Sequence, residues 1–329
     1  MGGTRILTRG DVAALLGWDE CIAAVEDAFR RHGEGKSLAP GVLGVRAPHG
    51  GFHVKAAGLE LGRLYFAAKT NANFSDNPRR HGLPAIQGVI VLCDADDGRP
   101  LAVMDSIEVT IRRTAAASAV AARLLARPDA HTVTVCGAGN QGRAHLRALA
   151  RVLPLRRALV LDADPAVAAA TASALAAELG LDVRPASDLA AALAESDVAV
   201  TCTPSRQAFL RREHVRPGTF VAAVGADNSD KQELEPDLMA AAVVVVDALE
   251  QCAAIGDLHH ALAAGAMTRE GVHAELAEVV CGRKPGRRTA SEITVFDSTG
   301  TALQDVAAAA VVYEKAVAAG RGHDVAFSD

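Results

Sequence analysis

The apolar positions along this chain change their period twice. Ile22, Val25 and Phe29 recur at three- and four-residue steps behind Asp19 and ahead of Gly33 and Gly35, so the first stretch reads as helix. From about residue 41 to 104, the runs 42–46, 52–57, 64–69, 86–93 and 101–104 favour β structure and are separated by Gly, Pro, Asn and Asp. They predict a mostly antiparallel α+β domain. Alternation over 52–56 puts His53 and Lys55 on one face of their strand, with Phe52, Val54 and Ala56 on the other.

Residues 106–126 read as a connector, Thr110-Ile-Arg-Arg113-Thr114 leading into an Ala-rich helix that stops before Pro128. Beyond it, apolar strands at 131–136, 157–162, 198–201, 220–225 and 243–247 alternate with helical stretches such as 141–152 and 165–180. Strand–helix alternation predicts a parallel sheet covered on both faces. The last strand, 293–297, precedes a helix over roughly 301–319 that is long enough to return to the first domain. A chain of 329 residues exceeds one ordinary core. The expected fold is therefore α/β, with two domains. Residues 1–113 with the C-terminal 301–329 form an α+β domain, and 114–300 form a doubly wound Rossmann domain.

Charge narrows the function classes. Lys and Arg total 34 against 39 Asp and Glu, a net charge of −5, so the basic excess of a nucleic-acid binder is missing. No apolar run is long enough to span a bilayer, and residues 1–20 carry Arg5, Arg9, Asp11 and Asp19 where a secretory signal would be apolar. The six cysteines are scattered, with no C-x-x-C pair, which argues against a disulfide framework or a metal site and for reduced thiols. A cytoplasmic protein that acts on small molecules is expected.

The strongest local chemistry is Gly137-Ala-Gly139-Asn140-Gln141-Gly142, which follows an apolar strand and opens a helix. In that context the glycines allow a tight turn and close backbone approach to a pyrophosphate, seated on the helix N-terminus. Twenty residues past Gly142 the next strand ends in Asp162, whose carboxylate suits an adenosine ribose and repels a 2′-phosphate. NAD(H) is favoured over NADP(H), unless Arg143 turns toward the ribose. The alternative is a structural βα turn with a surface aspartate.

Four further segments carry a resemblance. They are Lys69-Thr-Asn-Ala-Asn-Phe-Ser-Asp-Asn-Pro78 with Gly82-Leu-Pro; Gly98-Arg-Pro-Leu-Ala-Val-Met-Asp105 running on to Arg113-Thr114-Ala-Ala-Ala-Ser; Val224-Gly-Ala-Asp227; and Phe296-Asp-Ser-Thr-Gly300. In order and spacing the chain resembles the ornithine cyclodeaminase/mu-crystallin family from about residue 6 to 320. The 201–320 region is similar to the alanine dehydrogenase branch. The resemblance implies NAD-dependent interconversion of an amine and an imine beside a carboxylate, in a homodimer joined through the N-terminal domain. It implies that Arg46 grips the substrate carboxylate, a role for which the bidentate guanidinium is suited. Lys69 would hold the same carboxylate or assist proton transfer. Arg113 and Thr114 would touch substrate or cofactor phosphate. Asp227 would move the proton of the reacting nitrogen, with Thr203, Lys231 and Ser298 near the cofactor.

Departures from the family pattern bear on the substrate. His53 stands near a glutamate that recognises ornithine in the cyclodeaminases, Lys55 where an apolar residue is usual, and Ala85 where a threonine is usual. Two cation-capable side chains on one strand face suit a more acidic or bulkier substrate. An exposed or dimer-facing strand surface is the other reading of His53 and Lys55. Three functions stay open at this point. They are an amino-acid dehydrogenase or ketimine reductase, a cyclodeaminase that recycles its NAD and releases ammonia, and a crystallin-like binder without turnover.

Overall fold

In a computed structural model that describes residues 3–327, a short strand, β1 (Thr4–Leu7), precedes the β-favouring runs, which form β2 (Ser37–Ala47), β3 (Gly50–Glu60), β4 (Leu64–Asn73), β5 (Ile86–Asp94) and β6 (Pro100–Asp105). The second half contributes β7 (Thr132–Cys136), β8 (Arg157–Leu161), β9 (Asp182–Pro185), β10 (Val198–Thr201), β11 (Phe220–Ala223), β12 (Val243–Val246), β13 (Ala274–Glu275), β14 (Thr294–Asp297) and β15 (His323–Val325). The chain divides into two units, Met1–Arg113 with Thr301–Asp329, and Thr114–Gly300.

In the first unit, seven strands run in the order β15-β1-β6-β5-β4-β3-β2. All neighbours are antiparallel except β1 and β6. The helices Trp18–Gly33 and Ala302–Ala318 pack together, and the second lies along β3 and β4. Its stripe of Ala, Val and Leu is almost entirely buried, because alanine lets a helix approach a sheet closely. The first helix begins at Trp18 rather than behind Asp19, capped at Gly17, whose N–H donates to the Glu20 carboxylate. Ahead of it lie β1 and a short helix, Arg9–Leu15, that the apolar period does not signal.

The second unit is an eight-stranded parallel sheet, order β13-β12-β14-β11-β10-β7-β8-β9. Strands β7, β10 and β11 are buried along their whole length, as expected of strands covered on both faces. The order reverses beside β7, and at such a switch point open α/β sheets place their ligands, outside the carboxyl ends of the strands. Among the described residues no helix is long and apolar enough to cross a membrane.

Candidate functional site

Strand register gathers the cations of the first unit. The β2–β3 pairing sets Val42 opposite Lys55, Gly44 opposite His53 and Arg46 opposite Gly51. The β3–β4 pairing sets Lys55 opposite Lys69 and His53 opposite Asn71. Directly opposed residues share a face, so Arg46, His53, Lys55 and Lys69 stand on one side of the sheet. Toward the β2–β3 turn Arg46 and His53 are exposed, whereas Lys55 and Lys69 are buried, at 9% and 3% exposure. The alternation along β3 is thus inverted relative to a simple amphipathic strand. Lys55 shares its face with buried Ala57 and Leu59, while Leu43, Val45, Phe52 and Val89 lie exposed on the opposite face.

A polar partner from the C-terminal helix makes that burial tolerable. Lys69 Nζ donates to Asp305 Oδ1 at 2.9 Å, and Arg113 Nε donates to the same oxygen at 2.9 Å. Arg113 Nη1 donates to Gln304 Oε1 at 3.0 Å. Arg113 lies midway along the helix Ser106–Leu125, not at its start, because Ser106–Thr110 already belong to the first turns. With Oε1 engaged by Arg113, the Gln304 amide nitrogen is buried without a protein partner. A donor left so costs about 1–3 kcal/mol, which an oxygen ligand would recover. Burial, followed by the nearby Arg113 charge, pulls the Lys69 ammonium down to about 7, against the opposing pull of Asp305. Burial alone would raise Asp305, yet Arg113 and Lys69 hold its carboxyl below the usual carboxylate range. Gly88 permits the close packing beside this group, since a Cβ there would collide with the Thr70 carbonyl and with Asn71.

In the second unit the loop after β7 has the form an anion cradle needs. Gly137 has φ +105°, a conformation costly for other residues, and a Cβ on Gly142 would run into the Gly137 carbonyl. Gly139 has open space around its Cβ position. The helix Asn140–Leu149 starts there without a side-chain cap, leaving its first-turn N–H groups for a ligand. His145, buried and pushed down to about 4 by that burial, joins the Gln141 carbonyl (2.8 Å) to Ser118 Oγ (3.0 Å) and fixes the first turn. Asp162 Oδ2 accepts from Ala138 N–H at 2.8 Å, and Oδ1 accepts from Asp164 N–H at 3.0 Å, so the acid braces the loop. Arg143 Nε donates to Thr171 Oγ1 at 3.0 Å, which holds its guanidinium against the helix Pro165–Leu179. These residues fit a dinucleotide.

The other expected site residues of this unit cluster at the carboxyl ends of β10, β11 and β14. Asp227 lies four residues past β11 and half-exposed; Lys231 Nζ meets its Oδ1 at 2.7 Å. Thr203 donates through N–H and Oγ1 to Glu233 Oε1, at 2.6 and 2.7 Å. Glu233 Oε2 accepts from Gly225 N–H at 2.9 Å, and so links the β10 and β11 loops. Ser298 Oγ donates to Asp247 Oδ2 at 2.8 Å. Asp257 accepts from the Glu233 and Leu234 N–H groups, and Asp297 from those of Asp257 and Leu258. Burial, then the Glu233 charge, raises Asp257 to about 7, and burial, then Asp257, raises Asp297.

Sequence reading missed Asp305, Gln304 and the four buried acids. A signal for the first two existed: adjacent polar residues in the first turn of an otherwise Ala- and Val-rich helix. Asp247, Asp257 and Asp297 stand at strand or helix ends and Glu233 in a loop, where a carboxylate reads as an ordinary end or turn residue.

Comparison with known proteins agrees with this geometry. The model of the ornithine cyclodeaminase/mu-crystallin family matches residues 3–320. The chain is 37% identical over 325 residues to the alanine dehydrogenase of Archaeoglobus fulgidus, covering 98% of each. It is 35% identical over 324 residues to the iminosuccinate reductase of Paracoccus denitrificans, covering 97% of this chain and 99% of that one. A solved archaeal alanine dehydrogenase dimer with bound NAD superposes with a TM-score of 0.94 at 37% identity, over 98% of this chain and 99% of that chain.

Proposed function

The chain belongs to the ornithine cyclodeaminase/mu-crystallin family, and we propose that it is an NAD(H)-dependent oxidoreductase interconverting an amino acid with its imino or 2-oxo acid. The observation that carries this reading is the buried nest of Lys69 and Arg113 around Asp305, with the Gln304 amide still to be satisfied. It is a preorganised receptacle for a carboxylate oxygen, and a purely structural nest would close its own donors.

Arg46, Lys69 and Arg113 orient the substrate by its carboxylate. When bound at the loop Gly137–Gly142 and Asp162, NAD supplies the hydride acceptor or donor. Asp227 holds the protonated nitrogen and takes its proton when the amine is oxidised; Lys231 Nζ, bonded to its Oδ1, fixes where that carboxylate stands. The Glu233 bridge fixes Thr203 and Gly225 relative to one another. Lys69, with its affinity for protons near neutrality, can hand a proton to the substrate or keep it. The exposed apolar face of Leu43, Val45, Phe52 and Val89 supports a homodimer formed through the first unit, and the six free cysteines support a cytoplasmic setting.

The test is absorbance at the nicotinamide band with panels of amino acids and NAD, and of 2-oxo acids with ammonia and NADH. The reading expects net NADH change. Ammonia release without net change would make the protein a cyclodeaminase, and cofactor binding with neither would make it a binder; both outcomes contradict the proposal.

A further inference from the structure

The first turn of the helix Ala302–Ala318 breaks a rule that its own sequence sets. Thr301 stands at the N-cap with Gln304 three residues on, the Thr-x-x-Gln spacing of a capping box. In such a box the hydroxyl accepts from the N–H of the third helical residue, and the amide side chain reaches back to the N–H of the cap. Neither bond is made here: Gln304 Oε1 is turned instead to Arg113 Nη1, at 3.0 Å. The Thr301 hydroxyl and the Gln304 amide nitrogen are left without a hydrogen-bond partner among the described residues, at 1% and 0% exposure. A made cap stabilises its helix and an unmatched buried hydroxyl destabilises the fold, so the turn forgoes stability twice. It keeps donors in exchange. First-turn N–H groups have no partner within the helix and carry the positive end of its dipole. The hydroxyl and the amide add two more on the same side, because residues three apart on a helix are neighbours. Asp305, the acid of that turn, is already engaged by Lys69 and Arg113.

We propose that Thr301 is a substrate-binding residue: its hydroxyl donates, beside the Gln304 amide, to the carboxylate that Lys69 and Arg113 attract. This rests on the reading of the nest as the substrate-carboxylate site. The helix dipole and the Arg113 charge act strongly on a charged oxygen and weakly on a water molecule, so the donor set favours a carboxylate. Residues that break a local rule without repair elsewhere in the fold are those a ligand is left to complete.

Thr301→Val keeps the side-chain shape and removes the hydroxyl, so two readouts separate a ligand contact from a helix cap. The NADH-loaded protein is titrated calorimetrically with succinate, which carries carboxylates but no amine to oxidise, and the ligand-free protein is unfolded in urea. Succinate affinity should fall roughly tenfold or more, the worth of a hydrogen bond to a charged group. The urea midpoint should hold or rise, because an unmatched hydroxyl leaves the interior. Thr301→Ser, which keeps a hydroxyl, should retain most of the affinity. A midpoint that falls is the signature of a cap and would overturn the proposal whatever the affinity does. Unchanged affinity in Thr301→Val would overturn it as well, as would a native protein that does not bind succinate. Net NADH change on amino acids with succinate affinity untouched by Thr301→Val would sink this contact and leave the functional reading intact. Weakened succinate binding in a protein whose native form gives no net NADH change on any amino acid would sink that reading and keep the contact.

Discussion

Each unit of the molecule buries a nest of charge, and the two are resolved in opposite ways. In the second unit Glu233, Asp257 and Asp297 receive backbone N–H groups of the loops they join, and protonation removes part of their mutual repulsion. Nothing in that arrangement requires a ligand. In the first unit the excess is cationic, arginine cannot discharge, and one amide donor stays unmatched. The acid nest is satisfied by backbone donors and protons, whereas the cation nest can shed only the Lys69 proton and still keeps an unmatched amide donor. The difference separates a brace from a binding site.

Several substitutions would break or sharpen this contrast. The largest stability effect belongs to Asp305→Asn, which strands Lys69 and Arg113 without their anion. It should cost about 3–5 kcal/mol in urea denaturation, the usual consequence of unpairing buried charge, and saturating substrate or a carboxylate analogue should return part of it. A loss below 1 kcal/mol would mean the nest is hydrated and not a receptacle.

The nests should also tilt stability in opposite directions with pH. Asp257 is raised from 3.8 to about 7, so the folded state binds the extra proton and stability from this group falls as pH rises from about 4 to 7. Lys69 is lowered from 10.5 to about 7, so the unfolded state binds the extra proton and stability rises from about pH 7 toward 10.5. Each slope is at most about 1.4 kcal/mol per pH unit. Comparing the native protein with Asp257→Asn should isolate the first slope, and Lys69→Met the second. Identical pH curves for native and variant proteins would contradict the assignments.

Gly142→Ala probes the cofactor loop. The added methyl meets the Gly137 carbonyl, so about 1–3 kcal/mol of stability should go with most of the NADH affinity. The smallest effect is expected from Lys231→Met. Its ion pair with the half-exposed Asp227 should contribute about 0.2–1 kcal/mol at low salt.

What could be read from sequence follows the range of the interactions involved. The Gly137–Gly142 loop, Asp162 and the alternating second unit were legible because each is a local pattern with a backbone reason behind every residue. The strand β1 was not: Thr4–Leu7 is four residues long and exists only by pairing with 102–104 on one side and 323–325 on the other. The meeting of Lys55 with Lys69 depends on hairpin register, and that of both with Asp305 on a helix more than two hundred residues away in the chain. Asp227 was legible as a residue after an apolar strand, but its pairing with Lys231 follows from the turn that carries both. Family resemblance named Lys69 and Arg113; only the packed structure supplies their anion.

The central claim is that the cation nest awaits a carboxylate, and proton linkage reads this directly. Burial lowers the Lys69 ammonium to about 7 in the free protein, so above that pH an arriving anion should draw a proton onto it. Calorimetric titration of the NADH-loaded protein with succinate, in buffers of different ionisation enthalpy, measures that proton count. The account predicts net uptake approaching one proton per succinate, lost in Lys69→Met. Binding without proton uptake, or uptake unchanged in Lys69→Met, would contradict it.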